Sequence, residues 1–225
     1  MDWTQQVYNY CERTDSSYWS EPVNAVTNAA FLIAAFLAYI VAARLGRERD
    51  PGIIALLIIL SAIGIGSYLF HTHATSWAGT ADVIPILLYI LTYIFLATTR
   101  FFDLAWWWGL AAVVLFVPYA AGVVSGLSPL VGDLNGSIGY VPVPILITLY
   151  APALWRKHPA TAQGLLIGVA LLTLSLTFRT FDEAVCNALT VGTHFIWHIL
   201  NGAILGWMTV VLARHPRAPI QAPQP

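Results

Sequence analysis

Two histidines four residues apart, His194 and His198, sit inside the apolar run THFIWHILNG. Helical residues at that spacing share one face, so both imidazoles point the same way. A third histidine, His71, closes another apolar run, GIGSYLFH, with Ser67 one helical turn before it. Ionisable side chains are costly to hold in hydrocarbon, which directs such residues to a bundle interior rather than a lipid-facing surface. Two helices can therefore bring three imidazoles to one point. Three histidines with a fourth position left to water form a ligand set of catalytic zinc, so the chemistry this pattern points to is an intramembrane metal centre. Asp82, eleven residues after His71, adds a carboxyl at the same end. Singly, each of these residues has a plain structural role: a serine bonded back to a carbonyl, a histidine at headgroup level, an aspartate capping a helix. Together at one depth they favour a site.

The elements that must position them are membrane spans. Of 225 residues, 58% are hydrophobic and only 9% charged, with a net charge of −1; a soluble domain carries far more charge. Nothing in this composition suits nucleic acid. Apolar stretches of roughly 18 to 25 residues, enough to cross a ~30 Å hydrocarbon core, fall near 23–43, 52–71, 81–99, 104–125, 137–155, 161–181 and 192–213. The expected fold is an all-α integral membrane protein, a seven-transmembrane helix bundle forming a single domain over 1–213. Connections are short, with no repeat and no soluble insertion. Residues 1–22 are polar and lack the apolar core of a signal peptide, so they are expected to stay as an outer N-terminal segment. The tail 214–225, rich in proline, is expected to be disordered.

Lysine and arginine set the expected orientation. Arg44, Arg47, Arg49, Arg100, Arg156, Lys157, Arg214 and Arg217 fall on one side, and only Arg13 and Arg179 on the other. By the positive-inside rule the C-terminus is cytoplasmic. The N-terminus and the loops 72–80, 126–136 and 182–191 then face the periplasm, cell exterior or lumen. Ser67, His71, Asp82, His194 and His198 all come to that outer end, with Asp82 opening the third span. His73 points to a different helix face from His71, while His158 and His215 sit beside basic residues on the cytoplasmic side and are expected to be solvated. Cys11 and Cys186 both land outside, where a disulfide is permitted; they are expected to be bridged, the alternative being two unpaired buried thiols. Pro118, Pro142, Pro144 and Pro152 lie within spans four and five, where prolines kink helices unless the freed carbonyls are satisfied. Trp106, Trp107 and Trp108 have the composition of an interfacial belt.

Three blocks carry a family resemblance: CERTDSSYWSEPVNAVTN, GSYLFHTHATSWAGTADVIP and RTFDEAVCNALTVGTHFIWH. They resemble the alkaline ceramidases, within a wider superfamily of seven-span metal-dependent hydrolases that includes the progestin and adiponectin receptors. S-x3-H, the step to Asp82 and H-x3-H are shared across that superfamily; the N-terminal C-E block with E-P-x-N singles out the ceramidase branch. The resemblance implies an amidase of the membrane, in the cell or inner membrane or, in a eukaryote, the endoplasmic reticulum or Golgi. It would hydrolyse ceramide to a sphingoid base and a fatty acid, with zinc on His71, His194 and His198. Asp82 would be the general base and Ser67 an oxyanion stabiliser.

The resemblance also implies a calcium site in the segment before span one, at Asn9, Tyr10, Glu12, Thr14 and Glu21, with Asn24 beside it. Asn9 and Tyr10 stand where eukaryotic members have Asp-Trp, the Glu12–Glu21 spacing is shorter, and Val83 stands where members often have Glu. Asp182 is expected to bond a ligand imidazole or pair with Arg179. Two other functions compete with a ceramidase: a lipid receptor or sensor with structural zinc, and a hydrolase of another N-acyl or ester lipid. A proton-coupled transporter would need repeats or paired broken helices, which the sequence lacks.

Overall fold

The structure, a computed structural model, describes residues 2–216 and is helical throughout its membrane part. Seven segments are long and apolar enough to span a bilayer. The first, Pro22–Arg44, comprises α1 (Pro22–Thr27) and α2 (Ala29–Arg44), joined at Asn28. Then come α3 (Pro51–His73), α4 (Ser76–Phe101) and α5 (Trp106–Val131). The fifth segment is a 3-10 turn, Ser137–Tyr140, running into α6 (Pro142–Leu154), and α7 (Pro159–Phe181) and α8 (His194–Arg214) complete the bundle. The chain is a multi-pass membrane protein with seven spans among the described residues, close to the boundaries that apolar length alone predicts.

α8 is the hub. It packs against α2, α3 and α7, and 67% of its apolar window is buried, against 6% for α5 on the outside of the bundle. Val114, Leu115 and Val117 of α5 are exposed, as side chains that face acyl chains should be. Trp106, Trp107 and Trp108 open that helix and are exposed too.

The third span departs from expectation. It starts at Ser76, so Asp82 lies in the second turn of α4 and Thr75, not Asp82, holds the cap position. Helix N-termini leave backbone N–H groups without partners, and here the N-terminal segment supplies them. Gln5 and Trp3 carbonyls accept from Ser76 and Trp77 at 3.0 and 3.1 Å, while Val7 N–H donates to Ala74 O at 2.7 Å. This docking lets the polar residues SWAGT join the helix. Ala74, at φ 46°, makes the tight reversal between α3 and α4.

Two other expectations are revised. Pro142 starts α6 rather than interrupting a helix, and Pro118, Pro129 and Pro152 are the internal prolines of α5 and α6. His215 is not solvated: only 4% exposed, it packs on Phe101 and its Nδ1 lies 2.9 Å from Thr161 Oγ1. Of the tail, only residues up to 216 fall within the described part, so the expected disorder of 217–225 lies outside it. The far end of the bundle from the histidines is closed by Asp50, which caps α3 and receives both terminal nitrogens of Arg100 at 2.8 Å.

Candidate metal centre

His71 stands in the last turn of α3, and His194 and His198 in the first two turns of α8. The three rings are fully buried, and one nitrogen from each lies within 4.8 Å of the others. Buried polar atoms normally find partners. His71 Nε2, His198 Nε2 and His194 Nδ1 have none. Three inward nitrogens without partners in one small volume fit a metal ion, and they fit zinc by donor type. No other group of three or more His, Cys, Asp or Glu among the described residues is placed to do this.

The opposite ring nitrogens of His71 and His198 are held. His71 Nδ1 meets Glu21 Oε2 at 2.6 Å, and His198 Nδ1 meets Thr27 Oγ1 at 3.0 Å. Such partners fix the tautomer and ring angle of a metal-binding histidine. Glu21, named above as an expected calcium ligand, is thus the carboxylate that meets the His71 imidazole. Burial pushes its carboxyl up, but hydrogen bonds and charge from His71 and Arg13 outweigh that and hold it below the ordinary Glu value.

Tyr10, also drawn into the calcium expectation, stacks on His194 with ring centroids 3.7 Å apart. Glu12 accepts from the Val23 and Asn24 N–H groups at 2.8 Å each and so caps α1. Thr14 is exposed, its N–H donating to Ser20 Oγ at 3.0 Å, and Asn9 lines a cavity beside Tyr10.

Asp182 does something the sequence did not suggest. Its Oδ1 accepts from Thr193 N–H at 2.6 Å and His194 N–H at 2.8 Å, and its Oδ2 accepts from Cys11 N–H at 3.1 Å. It thus caps α8 from a distance, at the residue that carries the first imidazole, and among the described residues it forms no ion pair with Arg179. Gly192 permits this: it has φ +64°, and a Cβ there would lie 2.1 Å from Asp182 Oδ1. Cys11 and Cys186 are joined in a disulfide, which fastens the N-terminal segment beside the same loop.

Ser67 is buried where α3 meets α4, and a Cβ on its neighbour Gly66 would lie 3.3 Å from Asp82 Cα. Gly66 makes that meeting possible. A Cβ there would lie 2.1 Å from the Ala81 carbonyl oxygen, so only glycine lets α3 and α4 approach this closely at Ser67 and Asp82. Asp82 and His194 both line a cavity of about 620 Å³ that also includes Tyr10, Arg179 and Trp197. The structure therefore brings together the three histidines, Ser67 and Asp82, and adds Glu21, Thr27 and Tyr10 around them. Sequence reasoning missed Thr27 altogether; a threonine ending the short helix α1 carries no signal of an imidazole 171 positions away.

The ceramidase family model matches residues 4–218, nearly the whole chain and all three histidines. The chain belongs to the ceramidase family. That membership makes it a ceramidase-like hydrolase, acting on amide bonds, built on a seven-helix membrane bundle. No curated protein matches it.

Proposed function

We propose that this ceramidase-family protein is a zinc-dependent amidase that hydrolyses ceramide, or a closely related N-acyl lipid, to a sphingoid base and a fatty acid. The observation that carries this reading is the convergence of three buried imidazole nitrogens without partners beside Asp82 and an open cavity. Zinc held by His71, His194 and His198 would supply Lewis acidity and a water that ionises near neutral pH.

Asp82 is the proton carrier in this reading. Its carboxyl faces the cavity that His194 also lines, so it can take a proton from an attacking water and return it to the departing amine nitrogen. Once Asp82 has taken the proton of the water, the Ser67 hydroxyl can turn its single O–H to the oxyanion that develops on the former carbonyl oxygen. The buried pairings Glu21–His71 and Thr27–His198 keep two imidazoles oriented through the cycle.

The cavity suits a lipid substrate. Its polar part beside Asp82 shares Ile86, Tyr140 and Trp197 with an apolar pocket deeper between α4, α5, α6 and α8. In this reading an acyl chain points towards the deep apolar pocket and a polar headgroup stays at the mouth, where Arg179 lies 5.8 Å from the Trp197 ring. Substrate would enter from the bilayer. A receptor with structural zinc is the weaker reading, because it leaves Ser67, Asp82 and the cavity without a task.

Hydrolysis by detergent-purified protein of ceramides, other N-acyl lipids and ester lipids tests this. Fatty acid released from ceramides well above the others supports the reading. Release from a different N-acyl or ester lipid alone would move the substrate, and bound zinc with no turnover of any lipid would favour a receptor.

A further inference from the structure

Arg13, the one arginine or lysine of residues 1–22, is buried. Its side chain is 0% exposed and faces only oxygen. The Nε group donates to Glu21 Oε1. One terminal nitrogen, NH2, donates to the backbone carbonyl of His71 at 2.8 Å, and NH1 to the carbonyls of Asp15 and Ser17 at 3.0 and 3.4 Å. Glu21 in turn carries the link on to His71 Nδ1. A single cation thus gathers three stretches of chain: the loop at 15–17, the carboxylate before α1, and the end of α3 that bears His71.

This is the kind of surrounding that a hard divalent cation takes, with carboxylate and carbonyl oxygens converging on one point. The calcium expected from the family resemblance does not fit beside it. Both Glu12 oxygens already accept backbone N–H groups, both Glu21 oxygens are held by Arg13, His71 and Asn24, and a second positive charge would meet the guanidinium at close range. We propose that Arg13 is a built-in cation that stands in for calcium. It folds the N-terminal segment onto the metal centre and steadies His71 through Glu21, so that neither the fold nor zinc retention depends on calcium. Arg13 is a positioning residue here and touches no substrate. The inference rests on the three-histidine metal reading only for its effect on zinc.

The test uses the full chain in detergent, with thermal unfolding, bound metal by elemental analysis and radioactive calcium binding as readouts. Wild-type protein is expected to bind no calcium, and its Tm and zinc content should stay unchanged when calcium is raised to ~10 mM, above the ~0.1–1 mM affinities of extracellular calcium modules. Arg13→Ser should lose zinc and melt several degrees lower, and calcium should restore both, since vacating the guanidinium leaves an oxygen-rich cation site. Arg13→Lys keeps the charge but not the fork and should fall between them. One calcium bound per wild-type chain, with a rise in Tm, would overturn the proposal, and so would an Arg13→Ser zinc loss that calcium leaves unrepaired. Should Arg13→Ser fail to fold, the wild-type calcium measurement decides alone. Wild-type protein without zinc but indifferent to calcium would sink the metal-centre reading while leaving the role of Arg13 intact.

Discussion

At the scale of residues, the division of labour around the histidines decides what each substitution should do. Asp82 lines the cavity but is not one of the three grouped nitrogen ligands. Asp82→Asn is therefore expected to keep zinc at the wild-type level while turnover falls by at least ~10²-fold, the usual range for losing a general base. Elemental analysis alongside fatty-acid release checks both halves; near-normal turnover would remove Asp82 from its role. The histidines themselves were legible in the sequence, because a four-residue step inside an apolar run has few other meanings. Their supports were not. Glu21 and His71 are 50 positions apart, Thr27 and His198 171, and no local pattern announces such pairs. Glu21 was legible as an acidic residue of the outer segment and, by resemblance, as a calcium ligand, but not as the partner of an imidazole; Arg13 and His71 both hydrogen-bond it in the fold.

Among elements, the site depends on how closely α3 and α4 approach and on how α8 begins. Gly66 brings α3 against the backbone of α4 at Ala81, one residue from Asp82. Adding a methyl group there forces the helices apart, at a cost of ~1–3 kcal/mol for an overpacked contact. Gly66→Ala should thus lower Tm by several degrees and cut turnover several-fold, with little loss of zinc, since the α3–α8 contact that brings the histidines together is elsewhere. Thermal unfolding with zinc analysis reads this; turnover unchanged at lowered Tm would show that the Ser67–Asp82 meeting tolerates the shift. The number of spans was plain from apolar length, whereas the start of α4 was not. Polar SWAGT reads as a loop until the N-terminal segment lends its carbonyls to Ser76 and Trp77. For the same reason, Asp182 as a distant cap on α8 could not be seen in a chain where residues 183–193 intervene.

For the whole molecule, the distribution of charge argues for an outer or lumenal active site. Arg13 and Arg179 lie at the histidine end, while Arg47, Asp50 and Arg100 meet at the opposite one. With eight of the ten basic residues of the chain assigned to the far side, a cysteine introduced near the N-terminus should react with a membrane-impermeant reagent in intact cells or right-side-out vesicles. One in the 156–158 turn should not, and the reverse pattern would invert the bundle. An outward-facing site would also agree with the Cys11–Cys186 disulfide, since disulfides persist in oxidising compartments. The central claim is that lipid amide hydrolysis depends on a metal held by His71, His194 and His198. Its most direct test is to strip metal from the purified protein, measure fatty-acid release from ceramide, and repeat after adding one equivalent of zinc. Release lost on stripping and restored by zinc, but not in His194→Ala, is the predicted result; release that survives complete metal removal would contradict it.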